Sequence, residues 1–303
     1  TYTQDTDNPP ITFWNGTSGA ILTYIAPGPS GAGLAQRVIM DMVVANNTIY
    51  MSTLEQTGTT PNWRGQVLAL DLENGVIRQI ASAFGPSTGE VTGGLPGPIE
   101  WYQGQLWVGV NALNGTDGTG KVVRCFPGID STWTTDVSNL EGFPASIKEF
   151  KGDLYIGSAF TGAGSSNIYK RTASTGAYAI VRTGDSTGQA HFGCLTVYDS
   201  ELYAVRHYST ASDVLHIEKS SDGSSLSVDR DVDSLDSVVV GGEPLYPGNG
   251  ITFNNDLFFS FRSDTVSSTD GFIMRKTGGA SGTWSKVHTD NINGTMAVLV
   301  ERT

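Results

Sequence analysis

Two short phrases carry the side chains best suited to grip a ligand: "NWRG" (62–65) and "RHY" (206–208), each setting a flat ring beside a guanidinium. Such pairs are favoured anchors in recognition surfaces, because the ring gives a rigid face and the guanidinium a planar fork of donors. His191, Glu243, Tyr246 and Arg262 lie in similar surroundings rich in Gly, Ser and Pro. The candidate ligand-binding set is therefore Trp63, Arg64, His191, Arg206, His207, Tyr208, Glu243, Tyr246 and Arg262.

Covalent or metal chemistry leaves fainter traces. There is no nucleophile elbow, no HExxH and no Gly-rich phosphate loop. The four histidines are scattered, with no spacing to a Ser, Cys or Asp. "DRDVD" (229–233) starts like an EF-hand loop, yet Val240 stands where the bidentate Glu belongs. Cys125 and Cys194 sit in apolar runs and read as buried free thiols. No catalytic residue and no metal ligand set is assigned.

The charge balance, 18 basic to 30 acidic residues and net −12, disfavours nucleic acid or an anionic membrane as partner. No apolar run approaches the roughly 18 residues of a membrane span, so no membrane insertion is expected. The chain opens on Thr1 without a signal-peptide pattern, as a processed protein or a piece of a longer one would. Its Lys-poor, Gly-rich acidic composition suggests an extracellular or virion setting.

These residues need a scaffold, and the sequence repeats one. "ANNTIYMS", "YQGQLWVG", "FKGDLYIG", "YDSELYAV" and "FNNDLFFS" each read as strand, tight polar turn, strand. Their aromatics, Tyr50, Trp107, Tyr155, Tyr203 and Phe258, recur after 57, 48, 48 and 55 residues. A second hairpin follows each, so every unit has four antiparallel strands, the signature of a propeller blade. At the N-terminus "TYTQ", "PPITFWNG" and "AILTYIA" match the second to fourth strands of a blade, and the C-terminal "MAVLV" supplies the missing first.

Over its whole length the chain thus resembles six-bladed β-propellers. The resemblance implies an all-β, single-domain ring over 1–303. Its last blade is split between 293–303 and 1–26, with strand A from the C-terminus and strands B, C and D from the N-terminus. In such a ring the B–C and D–A loops share one face. They are the long ones here, and the candidate binding residues fall on them.

Six-bladed propellers of the metal-dependent lactonase type are similar in size, and that likeness implies a cation in the central channel. Only Asp41, Glu100, Lys148 and Glu149 interrupt the apolar inner strands, and no ring of oxygen ligands emerges. Asn249, Asn293 and His191 stand where a structural cation at the channel mouth would be reached. Sialidases are six-bladed too; "SSDGSSL", "TGGASGTW" and "GIDSTW" are partial matches to their Asp-box turn. Arg37, Arg206 and Arg262 offer a carboxylate-gripping cluster, though no motif joins them.

The expectation is a non-catalytic recognition or structural propeller without cofactor, binding a glycan or protein on a cell surface or within a larger assembly through its long-loop face. The alternative is a secreted propeller enzyme, a glycosidase, lactonase or lyase, with its site at the channel mouth.

Overall fold

The computed structural model describes residues 10–14, 21–25, 37–57, 62–81, 95–111, 119–160, 166–184, 189–209, 214–232, 245–263 and 271–290. A hairpin, β1 (Pro10–Trp14) with β2 (Ile21–Ile25), comes first. Blade 1 follows as β3 (Arg37–Ala45), β4 (Thr48–Thr57), β5 (Asn62–Asp71) and β6 (Ile77–Gln79). Blade 2 is β7 (Leu95–Tyr102), β8 (Gln105–Asn111), β9 (Thr119–Cys125) and β10 (Thr134–Glu141). Blade 3 is β11 (Phe143–Phe150), β12 (Asp153–Phe160), β13 (Asn167–Arg171) and β14 (Tyr178–Thr183). Blade 4 is β15 (Gln189–Tyr198), β16 (Glu201–Ser209), β17 (Val214–Ser220) and β18 (Ser227–Asp231). Blade 5 is β19 (Leu245–Phe253), β20 (Asp256–Ser263), β21 (Gly271–Thr277) and β22 (Thr283–Asp290).

This is an all-β propeller with four antiparallel strands per blade. Five four-stranded units lie among the described residues. The strands expected to complete a sixth, "MAVLV" and "TYTQ", lie outside those residues, and β1–β2, expected in the same unit, is described as a separate two-stranded sheet.

The sequence explains the hairpins locally. Every turn between the first two strands of a blade holds two consecutive residues at positive φ: Asn46-Asn47, Gln103-Gly104, Lys151-Gly152, Asp199-Ser200 and Asn254-Asn255. That geometry matches the twist of tightly joined antiparallel strands.

Between blades, alternate side chains interlock. Tyr50, Val67 and Ala69 of blade 1 pack with Ile99, Leu106 and Val108 of blade 2. Trp107 and Val122 pack with Ile147 and Leu154 of blade 3, and Phe150 and Tyr155 with Phe192 and Leu202 of blade 4. Tyr203 and Val205 close on Leu257 and Phe259 of blade 5. The inner strands pack in sequence, β3 on β7, then β11, β15 and β19, whereas no comparable packing joins β19 to β3 among the described residues.

Candidate active site in the central channel

The five inner strands surround a cavity of about 390 Å³, within the usual range of ligand pockets. Each inner strand breaks register with its neighbour once, between Ile39 and Asp41, Pro96 and Ile99, Pro144 and Ser146, Gly193 and Thr196, and Pro247 and Gly250. A bulge of this kind re-aims the side chain that follows it. The residues just past the five bulges, Asp41, Ile99, Ser146, Thr196 and Gly250, all line the cavity.

The partners of the repeated aromatics form a further ring, which shares Thr196 with the first. Val43, Glu100, Lys148, Thr196 and Ile251 lie directly opposite Tyr50, Trp107, Tyr155, Tyr203 and Phe258. Glu100 and Lys148 therefore meet at the same height on adjacent blades. The Lys148 ammonium donates to both Glu100 oxygens, at 3.2 and 3.0 Å. Glu100 is 8% exposed. Burial pushes its carboxyl up to about 7; Lys148 pulls against that shift, while Asp41 and Glu149 add to it. The nearby Asp41 accepts the Met42 N–H at Oδ1 (2.8 Å) and the Ile99 N–H at Oδ2 (3.0 Å), pinning blade 1 to blade 2.

Two carboxylates whose surroundings differ this much form an acid–base pair in waiting. Burial raises the first, while the second accepts a backbone N–H at each oxygen. The charges were legible in the sequence as interruptions of apolar strands, but there they were weighed only as cation ligands. Among the described residues no cluster of three or more His, Cys, Asp or Glu is arranged to hold a metal.

The described candidate binding residues sit toward the opposite ends of the strands from the tight turns. Trp63 and Arg64 belong to β5, opposite Gln56 and Glu55, rather than to a loop tip. His191 on β15 faces His207 on β16, and Tyr208 faces Ala190. Tyr246 on β19 is directly opposite Arg262 on β20. The ladders run further than the polar sequence suggested, out to the Thr57 and Asn62 pair in blade 1 and the Gln189 and Ser209 pair in blade 4. Arg206 donates to Glu218 at 3.3 Å, alongside a two-pronged contact from Arg182. His207 is 1% exposed, so it packs inside blade 4 instead of presenting to solvent. Glu243 lies outside the described residues.

No protein-family model matches this chain, and no curated protein matches it in sequence. Its fold is similar to solved propellers. Against an exo-β-1,3-galactanase from Phanerochaete chrysosporium bound to β-1,3-galactotriose, the TM-score is 0.52 at 10% identity, over 82% of this chain and 65% of that one. A Trypanosoma rangeli sialidase in complex with sialic acid gives 0.50 at 13%, over 82% of this chain and 46% of the enzyme. A nidogen/laminin complex gives 0.52 at 13%, over 84% and 81%. The chain thus spans less than two thirds of the galactanase and under half of the sialidase. The expectation of a non-catalytic recognition propeller is corrected by this result: most of these similar propellers are saccharide-cleaving enzymes, which favours the alternative reading.

Proposed function

We propose that the chain is a glycosidase whose reaction takes place in the central channel. The observation that carries this is geometric: two carboxyls from adjacent inner strands, the buried Glu100 and Asp41, line one cavity, and burial raises the first. The named activities of the similar propellers, a galactanase and a sialidase, support a saccharide substrate. In the reaction the glycosidic C–O bond breaks and the leaving oxygen takes the Glu100 proton. The oxygen of water bonds to the anomeric carbon, and Asp41 receives the proton that water gives up. Tyr208, Tyr246, Arg262, Trp63 and Arg64, on strand ends toward the long loops, are the proposed saccharide contacts, whereas Arg206 is held by Glu218. The test is release of sugar from a panel of aryl glycosides and oligosaccharides. Glu100→Gln should cut kcat by about 10²–10⁴-fold, as loss of a general acid does. Full activity in that variant, or no cleavage of any substrate by the unaltered protein, overturns the reading.

We also propose that a sixth unit closes the ring. Ile49, Met51, Leu68 and Leu70 of blade 1 are buried on the side away from blade 2, where no blade lies among the described residues. If Val300 and Tyr2 take the positions of Phe150 and Tyr155, then Ala297 and Thr3 correspond to the cross-strand partners Ile147 and Ile156. Thr3→Cys with Ala297→Cys should then form an intramolecular disulfide on mild oxidation. Persistent free thiols would exclude this closure.

A further inference from the structure

The cavity wall is divided. Its charged residues come from β3, β7 and β11, whereas β15 and β19 contribute neutral groups such as Thr196 and Thr252. Lys148 is the one cation among the described lining residues. Its ammonium carries three donors, and its hydrogen bonds go to Glu100 while the side chain stays 33% exposed. A donor with one partner and an open flank on a cavity wall is able to take an incoming anion.

We propose that Lys148 makes the cavity selective for a saccharide bearing a carboxylate, such as a uronic acid, whose anion takes Lys148 over from Glu100. This rests on the glycosidase reading and narrows its substrate class. The groups facing Glu100 are Lys148 and Glu149 from β11 and Asp41 from β3. Among the described lining residues, β15 contributes one titratable group, the Cys194 thiol, which burial pushes up and keeps protonated, and β19 contributes none. With Glu100 ionised, Asp41, Glu100 and Lys148 together are net negative and repel an anion. Glu149 is not on the cavity wall and accepts the Gly152 N–H at 2.8 Å; of the wall charges, Lys148 and Asp41 balance once Glu100 holds a proton, and the ammonium then turns to the ligand's carboxylate. The same event leaves Glu100 as a neutral O–H donor inside the cavity. The substrate's own charge therefore completes the acid that cleaves it.

Calorimetric titration with glucuronate, and with glucose as the neutral counterpart, tests this on the whole chain. At about pH 6 glucuronate should bind at least about tenfold tighter than glucose, and its affinity should fall about tenfold per pH unit above 7. Lys148→Met should abolish the preference, and Glu100→Gln should retain it without the pH dependence. Circular dichroism confirms that both variants are folded. Equal binding of the two sugars, an unchanged preference in Lys148→Met, or no glucuronate binding at millimolar concentration overturns the proposal. Glu100-dependent cleavage of neutral glycosides alongside equal binding would sink the substrate class and leave the glycosidase reading intact. Retained glucuronate preference with full hydrolysis by Glu100→Gln would do the reverse.

Discussion

Two kinds of buried acid–cation pair hold neighbouring blades together, and their chemistry runs in opposite directions. In the channel, Glu100 receives Lys148 alone and its carboxyl rises. At the outer seam of blades 2 and 3, Asp136 accepts from Arg124 (3.0 Å), Arg171 (2.7 and 3.2 Å) and Tyr178 (2.8 Å). Burial works against its charge too, yet the bonds from Arg171 and Tyr178 and the two guanidinium charges hold its carboxyl below the usual range. The seam of blades 4 and 5 repeats the design: Asp229 accepts from Lys276 and from the Trp284 indole, each at 2.7 Å, and is likewise lowered. The repeated aromatics join in. Arg171 lies 4.7 Å from the Trp107 ring centroid, and Lys276 lies 5.8 Å from that of Tyr203. Depth of burial and the number of donors together set the opposite directions of the two shifts, in the channel pair and in the seam staples.

The comparison breaks most visibly at the staples. Asp136→Asn strands two guanidiniums around a neutral amide and should cost about 3–5 kcal/mol, read as a large drop in Tm. A loss under about 1 kcal/mol would mean that the seam is held by packing alone.

Glu100 should behave otherwise. Its folded pKa lies above its unfolded value of 4.5, so the folded state holds a proton that the unfolded chain releases. Stability is therefore lost as pH rises from about 4.5 to 7, by up to about 3 kcal/mol. Glu100→Gln should remove that slope, leaving a variant that matches the unaltered chain at low pH and exceeds it above pH 7. Denaturation across that range decides it.

The staples bring the opposite sign. Asp136 and Asp229 have folded pKa values below the unfolded 3.8, so their contribution is complete above about pH 4 and is lost as pH falls through the folded values. Asp229→Asn should flatten the acid limb of unfolding and leave the neutral-to-basic range parallel to the unaltered chain. The smallest effect belongs to Asp256 with Arg275, where the arginine is 42% exposed. Arg275→Ala should move stability by less than about 1 kcal/mol.

The blades were legible because their signals are local. A turn pair such as Asn46-Asn47 and an aromatic a few residues later specify a hairpin without help from elsewhere. Glu100 and Lys148 were equally visible as charges in apolar strands. Their pairing was not, since it joins residues 48 positions apart on different blades, and nothing in either strand names its partner. The bulges that turn Asp41 and Ser146 toward the axis were hidden as well, because a register shift belongs to two strands at once. Trp63 and Arg64 misled in the other direction: polar, Gly-flanked residues looked like a loop tip, while the ladder opposite them continues through Thr57.

The left-handed turn pairs have a practical side. Gly152 meets nothing within 4 Å of where a side chain would begin, and Lys151 beside it is exposed, at the end of the blade remote from the candidate saccharide contacts. A surface tether or affinity peptide spliced between them would hang beneath the disc. The protein could then be anchored to a bead with its mouth facing the solution.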